Sequence, residues 1–344
     1  MNAWLVRAGK TGENDDFCIS NNISVIGWRD IGDLAPYGEW AAFKSYVRDS
    51  YPELKDGTVT NYAGQLYAFA HRIEIGDLVV LPLKTVHQIA IGRVAGPYEF
   101  VKGAESNQRH RRAVDWKVTD LPRTAVKQDL LYTLGAFMTV CNVSRNDAAK
   151  RLESLMDSGV DPGSDEANAI VPGDVLEDDG DGAPFDFADV ATTAITATIA
   201  EEFAGHALAQ LVAAILRAEG FYCDISPEGP DGGVDILAGF GPFGLQSPRL
   251  VVQVKSGTGQ VGAAVVRELH GVIKTHNGDQ GLLVAWGGIN KEARNELANQ
   301  RFNLRVWDAQ NIVDLVCEHY VTFSPEIRDK LPLRQLWVVD QKLK

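Results

Sequence analysis

The chain has 344 residues, of which 45% are apolar and 23% charged, and its formal net charge is −13. This length and composition exclude a disordered or fibrous protein and predict two globular domains joined by a connector. Four widely spaced cysteines exclude a disulfide framework and a zinc cluster, and neither a signal-peptide pattern nor a long apolar run is present. We therefore expect a cytoplasmic protein without a membrane span.

Residues 1–125 alternate apolar segments with turns that are marked by glycine. Strands are expected at 4–9, 23–28, 76–82, 88–100 and 110–116, and helices at 39–49 and 61–70. Two further helices are expected at 129–138 and 144–156. We expect these helices to pack on the same domain, which then covers residues 1–158.

Three of the N-terminal segments, GDLVVLP, IAIGRVAGPYEF and HRRAVDW, together resemble EVE/PUA-like modules. The resemblance implies an α+β domain with a β-barrel-like sheet that reads DNA, and several such modules hold a flipped, modified base. Because an extruded base is held by stacking on aromatic rings, the candidate pocket residues are Trp28, Tyr98, Trp116 and Trp40. Each could instead be a core residue, Trp40 above all, since it lies on the apolar stripe of a predicted helix.

A short basic cluster within this domain is the predicted DNA contact. It consists of Arg109, Arg111 and Arg112, with His110 between the first two. Guanidinium groups suit DNA phosphates and can fix the protein on the duplex. The alternative is an ordinary charged segment that is simply solvated.

Residues 159–189 are rich in Gly, Pro and Asp and are predicted to form an acidic, flexible linker. Negative charge is concentrated around it, because residues 152–216 hold 14 of the 46 acidic residues and no Lys or Arg. The overall charge is therefore compatible with basic DNA-binding faces elsewhere in the chain. The linker could occupy such a face as a DNA mimic, or it could act only as a tether.

The segment that indicates catalysis lies in the second predicted domain, residues 190–344. A Gly-rich turn leads into the short strand VDIL, and the strand RLVVQVK follows after a Gly-rich break. Side-chain alternation places Gln253 and Lys255 on one face, and a hairpin of this length brings Asp235 beside them. A carboxylate, an amide oxygen and an ammonium group at one sheet edge suit hydrolysis with Mg²⁺ or Mn²⁺.

The pattern Asp235…Gln253-x-Lys255 resembles the catalytic core of Mrr-type restriction endonucleases. These form a branch of the PD-(D/E)xK nucleases in which Gln commonly takes the second acidic position. The resemblance implies an α/β domain with a central mixed sheet, in which Asp235 and Gln253 hold Mg²⁺ and Lys255 acts on the attacking water and the phosphorus. Flanking segments that match this core are the helices at 206–222 and 265–273 and the strand at 280–288.

One position departs from the pattern of related nucleases. They usually carry a Glu on the first helix, where this chain has Ala209. His206 lies one turn earlier on the same helical face and is a candidate to position water or a metal ligand. Its alternative role is a local hydrogen bond at the start of the helix.

Together these features predict a modification-dependent DNA endonuclease. Its N-terminal domain would read a modified base, such as 5-methylcytosine, in double-stranded DNA, and its C-terminal domain would cleave. Cutting both strands needs two active sites, so a homodimer is expected. Two alternatives stay open: a defence nuclease gated by an RNA or nucleotide ligand, and a non-catalytic DNA-binding protein with a degenerate nuclease fold.

Overall fold

The structure is a computed structural model that describes residues 1–135, 138–164, 187–227, 233–300 and 302–337. The chain divides into two units, Met1–Thr193 and Ala194–Lys344. Most of the predicted linker lies outside the described residues. Within the described ranges, no helix is long and apolar enough to cross a membrane.

The N-terminal unit is built on one six-stranded sheet. Its strands are β1 (Ala3–Val6), β2 (Ile23–Ile26), β3 (Leu78–Leu83), β4 (Gln88–Phe100), β5 (His110–Pro122) and β6 (Val140–Asn142). Their order is β2-β5-β4-β3-β1-β6, with β1 and β3 parallel and all other neighbours antiparallel. The five expected strands are confirmed. Among the described residues, however, β2 and β6 are edge strands that do not pair with each other, so the expected β-barrel-like closure is not found.

Helices cover both faces of this sheet. They are α1 (Asp15–Ser20), α2 (Trp40–Ser50), α3 (Asp56–Tyr67), α4 (Gln128–Leu134) and α5 (Ala148–Ser158), and α3 continues as a π-helical turn at Ala68–Arg72. Along β3, Val79 packs with α2 and α3 on one face, while Leu78 and Val80 pack with α4 and α5 on the other. Because apolar side chains are needed on both faces, every residue of β3 is buried.

A buried ionic network holds the end of this unit together. Arg151 of α5 is fully buried and donates two hydrogen bonds to the carboxylate of Asp129, at 2.6 and 2.9 Å, and two to that of Asp161, at 2.7 and 2.8 Å. Burial by itself raises the pKa of both carboxyl groups, but the hydrogen bonds from Arg151 outweigh it and both pKa values are lowered.

The C-terminal unit contains a five-stranded mixed sheet. Its strands are β7 (Tyr222–Ile225), β8 (Ile236–Phe240), β9 (Gln246–Lys255), β10 (Gln280–Ala285) and β11 (Leu304–Trp307). They lie in the order β11-β10-β9-β8-β7, with β9, β10 and β11 parallel and β7 and β8 antiparallel to their neighbours. The expected central mixed sheet is therefore confirmed.

The two faces of this sheet have separate apolar cores. The helices are α6 (Phe187–Glu202), α7 (His206–Ala218), α8 (Ala263–Thr275), α9 (Lys291–Ala298), α10 (Ala309–His319) and α11 (Pro325–Lys330). On β9, Val252 packs with α7 and α10, whereas Val251 packs with α8 and α9. Val266, Leu269 and Ile273 form the apolar stripe by which α8 meets the sheet. Since side chains alternate along a strand, Gln253 and Lys255 share the α8 side with Val251.

Replacing Arg151 with Met is expected to destabilise the N-terminal unit by about 3–5 kcal/mol, because two carboxylates lose their buried cation. Hydrogen exchange of peptides from α4 and α5 would report the loss. The control is Lys117→Met, which breaks an exposed ion pair with Asp115 and should cost at most about 1 kcal/mol. Equal losses in the two variants would contradict a special contribution of the buried network.

Candidate active site

The pairing of β8 with β9 brings Asp235 to the strand that carries Gln253. Ile236, which follows Asp235, pairs in antiparallel register with Val252, which precedes Gln253. The amide of Asp235 donates to the carbonyl of Val252 at 2.9 Å, and the amide of Val254 donates to Oδ2 of Asp235 at 2.7 Å. The half-buried carboxylate is thus held against the backbone of β9.

Gln253 and Lys255 lie on the face of β9 that α8 covers. Gln253 pairs with Leu283 of β10 and is 1% exposed, while Lys255 pairs with Ala285 and is half-buried. Oε1 of Gln253 is buried and has no hydrogen-bond partner among the described residues. A buried carbonyl oxygen normally has a donor, so this atom has an unused capacity to bind a donor or a cation. The structure therefore brings the three predicted residues together.

This arrangement fits a divalent cation. Asp235 and Gln253 supply oxygen atoms, which hard cations such as Mg²⁺ prefer. The described residues hold no group of three or more His, Cys, Asp or Glu side chains that could bind a metal ion, so an ion here would need the amide oxygen of Gln253. The unpartnered Oε1 meets that need. The ammonium of Lys255 makes no ion pair with any described residue and is available to an anionic substrate.

A second carboxylate, that of Glu268 on α8, also lies at this site. A Cβ atom at Gly233 would be 3.2 Å from Nε2 of Gln253 and 3.5 Å from Oε1 of Glu268. Gly233 has φ of +86°, a conformation that glycine adopts without strain. The glycine therefore leaves open the space that the amide and the carboxylate both border. Sequence reasoning missed Glu268 because it is one polar residue of an amphipathic helix, with no distinguishing local signal.

Helix α7, in which related nucleases usually carry a Glu, contains no Asp or Glu in this chain. Ala209 is 1% exposed and packs in the apolar core with Val252, on the sheet face opposite to Gln253. A carboxylate at this position would be buried among apolar side chains, at a large cost. His206 is the first residue of α7 and is half-buried, and its part in catalysis stays a prediction.

In the N-terminal unit, ring contacts join Trp28 to two tyrosines that the sequence did not indicate. The ring centroids of Trp28 and Tyr62 are 5.7 Å apart in an edge contact, and those of Tyr62 and Tyr51 are 5.9 Å apart. We call these three residues the aromatic cluster. All three are half-buried and pack against the apolar core on the α2 and α3 side of the sheet.

The other predicted pocket residues have different surroundings, and no ring contact within the described ranges joins any two of the four. Trp40 is 39% exposed, so its interpretation as a core residue is wrong. The hydroxyl of Tyr98 lies 2.8 Å from Nδ1 of His110, and Nε1 of Trp116 donates to the carbonyl of Cys18 at 3.2 Å. Their part in base binding stays a prediction.

Arg112 does not serve as the expected phosphate contact. Its buried guanidinium donates to the carbonyls of Phe69 at 2.6 Å, Ala70 at 3.0 Å and Gly96 at 3.3 Å. Burial lowers the pKa of Arg112 to about 10. The side chain ties the π-helical turn to β4, so the prediction of a DNA contact at this residue is wrong.

The other two arginines of the basic cluster remain candidates. Arg111 donates to the carbonyl of Gln108 at 2.6 Å through Nε and lies over the ring of Phe17 at 5.3 Å. Arg109 donates to the carbonyl of Ala104 at 3.4 Å through Nε. Both are half-buried, and their terminal nitrogen atoms can still donate to a phosphate. Their contact with DNA stays a prediction.

His110, between these arginines, is a structural residue of the core. It is fully buried, and its Nε2 has no partner among the described residues. Burial lowers the pKa of His110 to about 4, so the imidazole is neutral at physiological pH.

Two protein families match separate parts of the chain. Residues 200–316, which include Asp235, Gln253 and Lys255, match the family Mrr_cat, described as restriction endonuclease. Residues 4–138 match a family described as a domain of unknown function (DUF8426). None of the curated proteins compared with the chain matches it in sequence.

Three solved structures are similar to the chain at 14–16% sequence identity. The DNA modification-dependent restriction endonuclease AspBHI has 16% identity and a TM-score of 0.33, over 74% of this chain and 67% of that one. The MspJI restriction endonuclease, in complex with a 27-mer oligonucleotide, has 14% identity and a TM-score of 0.32, over 82% and 70%. AF1548, a protein of unknown function, has 14% identity and a TM-score of 0.26, over 36% and 75%. The family of the C-terminal unit therefore rests on the sequence match to residues 200–316.

The lowered pKa of His110 predicts a pH dependence of stability. An unfolded His titrates near pH 6.5 and the folded one near 4, so stability is complete above pH 6.5 and falls as the pH decreases towards 4. The expected loss is of order 3 kcal/mol, measured by hydrogen exchange of peptides from β4 and β5. His110→Gln should remove this dependence and the exposed-residue control His87→Gln should keep it. A dependence unchanged in His110→Gln would contradict the assignment.

Proposed function

Residues 200–316 belong to the Mrr_cat restriction endonuclease family and make this chain an endodeoxyribonuclease, and from that premise we propose that it uses Mg²⁺ and acts on DNA carrying a modified base. Restriction endonuclease domains generally use divalent metal ions. The observation that carries the proposal is the buried, unpartnered Oε1 of Gln253, on the same strand face as Lys255 and on the strand whose backbone holds the carboxylate of Asp235.

In this proposal, Asp235 and Oε1 of Gln253 hold the cation at the edge of the sheet. A bound divalent cation polarises the phosphoryl group and offsets charge on the leaving oxygen. Lys255 orients a water molecule towards phosphorus, and its ammonium group offsets the negative charge that develops there. The water oxygen bonds to phosphorus and the bond to the 3′ oxygen breaks. The 3′ oxygen then takes up a proton, which leaves a 5′ phosphate and a 3′ hydroxyl group.

We further infer that the N-terminal unit reads the base. The half-buried rings of the aromatic cluster support this inference, because an extruded base is held by stacking on aromatic side chains. Arg109 and Arg111 are the candidate phosphate contacts. The resemblance of residues 1–125 to EVE/PUA-like modules favours the same role.

The proposed partner is double-stranded DNA with a modified cytosine, bound by a homodimer. One active site of this kind cuts one strand, so a double-strand break requires a second copy of the catalytic residues. Light scattering with and without DNA would test the dimer, and a monomeric mass in both conditions would contradict it.

Lys255→Ala is expected to reduce the rate of DNA cleavage by about 10²–10⁴-fold, because the group that orients water and offsets charge is lost. Plasmid cleavage with Mg²⁺ measures the effect. Lys274→Ala removes an exposed Lys from α8 and is the control that should retain activity. Loss of cleavage in both variants, or in neither, would contradict the proposed role of Lys255.

Cleavage is expected to depend on base modification. Plasmids that carry 5-methylcytosine or 5-hydroxymethylcytosine should be cut, and a matched unmodified plasmid should not. Trp28→Ala should weaken binding to modified DNA by about 10–100-fold, because stacking on one aromatic ring contributes about 1–3 kcal/mol. Trp337→Ala removes a 95% exposed ring from the C-terminal unit and is the matched control that should retain binding.

The outcomes also separate the alternative functions. Equal cleavage of all plasmids would retain the nuclease and reject the modified-base reader. Cleavage that begins only after an RNA or nucleotide is added would favour a ligand-gated defence nuclease. Absence of cleavage with Mg²⁺ and with Mn²⁺ would favour a DNA-binding protein with a degenerate nuclease fold.

A further inference from the structure

The use of Gln at position 253 creates a problem of orientation. A carboxylate offers two equivalent oxygen atoms, whereas an amide offers one oxygen and one NH₂ group. A half-turn of the terminal amide exchanges these two atoms with little change of shape. Only the oxygen can bind a cation, so a site that relies on Gln needs a neighbour that distinguishes the two ends.

Glu268 is placed to make that distinction. Nε2 of Gln253 and Oε1 of Glu268 both lie within 3.5 Å of one point, the position that a Cβ atom on Gly233 would occupy. The amide end nearest this point is thus the nitrogen, and the oxygen is the buried atom that has no partner among the described residues. A carboxylate accepts hydrogen bonds and does not donate them, so it favours NH₂ on its own side.

The other residues of α8 leave the Glu268 carboxylate free to interact with the amide of Gln253. Val266, Leu269 and Ile273 anchor the helix on the sheet face that carries Gln253. The neighbouring cation, Arg267, donates to Glu296 at 3.0 Å and so has another partner. Glu268 itself makes no hydrogen bond or ion pair with a residue in the described ranges, apart from its approach to the Gly233 turn.

We propose that Glu268 is a positioning residue whose carboxylate, on the Nε2 side of Gln253, favours the NH₂ group on that side when the cation binds and thereby keeps Oε1 directed to the divalent cation. The proposal rests on the proposed function, because it requires Asp235 and Gln253 to bind that ion. Groups that orient a metal ligand typically change metal affinity by 10–100-fold when they are removed. In this role Glu268 compensates for the amide at position 253, and Gly233 leaves open the space that both groups border.

A double-mutant cycle on the full-length chain tests this role, with Mn²⁺ binding followed by electron paramagnetic resonance. Glu268→Ala is expected to weaken Mn²⁺ binding by at least about tenfold. In a Gln253→Glu background both terminal atoms are oxygen, so Glu268→Ala should leave Mn²⁺ binding unchanged or strengthen it by removing a like charge. Glu268→Gln keeps an acceptor oxygen and should lose less affinity than Glu268→Ala.

Two controls accompany the cycle. Glu292→Ala, on α9, removes an exposed carboxylate and should not change Mn²⁺ affinity. Thermal unfolding of each variant reports whether the fold is retained. Half-maximal cleavage by Glu268→Ala should need at least about ten times more Mg²⁺ than the wild type, which a loss of folded protein alone would not produce.

The outcomes of the Mn²⁺-binding experiments separate this proposal from its alternatives. Weaker Mn²⁺ binding by Glu268→Ala in both backgrounds would overturn the proposal, since Glu268 would then be a direct ligand or a residue needed for folding. Unchanged binding in the wild-type background would also overturn it, while loss of binding in Asp235→Asn would leave the proposed function intact. A wild-type chain that binds no Mn²⁺ would reject the metal site of the proposed function, and this inference with it.

Discussion

The candidate active site depends on the antiparallel pairing of β8 with β9. The hydrogen bond from Asp235 to Val252 sets the register, and the bond from Val254 holds the carboxylate against the same strand. A slip of one residue would move Gln253 and Lys255 to the opposite sheet face, because side chains alternate along a strand. The parallel neighbour β10 buries Gln253 from the other side. Three separated residues thereby become one polar site.

The two faces of the five-stranded sheet present different environments, one apolar and one partly polar. The α7 face is an apolar core in which Ala209 is buried beside Val252. The α8 face carries Gln253 and Lys255, together with the carboxylate of Glu268. A charged group is costly in the first environment and useful in the second. This difference explains why α7 has Ala209 where related nucleases carry a Glu. The carboxylate of Glu268 lies instead on α8, which covers the other face of the sheet.

Several polar residues of the N-terminal unit stabilise its fold and are unavailable to a ligand. Arg151 and Arg112 are buried and use their guanidinium groups within the unit. His110 is neutral and enclosed. Buried charges need such partners because water is excluded. Of the three arginines predicted to contact DNA, Arg109 and Arg111 therefore remain candidates and Arg112 does not.

The sequence by itself determined the features that depend on neighbouring residues. Strand alternation, the Gly-rich turn and the hairpin length predicted that Asp235, Gln253 and Lys255 lie together, and apolar periodicity predicted most helices and strands. Tertiary structure decided the approach of Glu268 to Gln253 and the open sheet, because both depend on packing between distant segments. Alternation along β5 already places Arg112 on the same face as the buried Val114. Tertiary structure decided its partners, because the carbonyl groups that accept its hydrogen bonds lie on the π-helical turn and on β4.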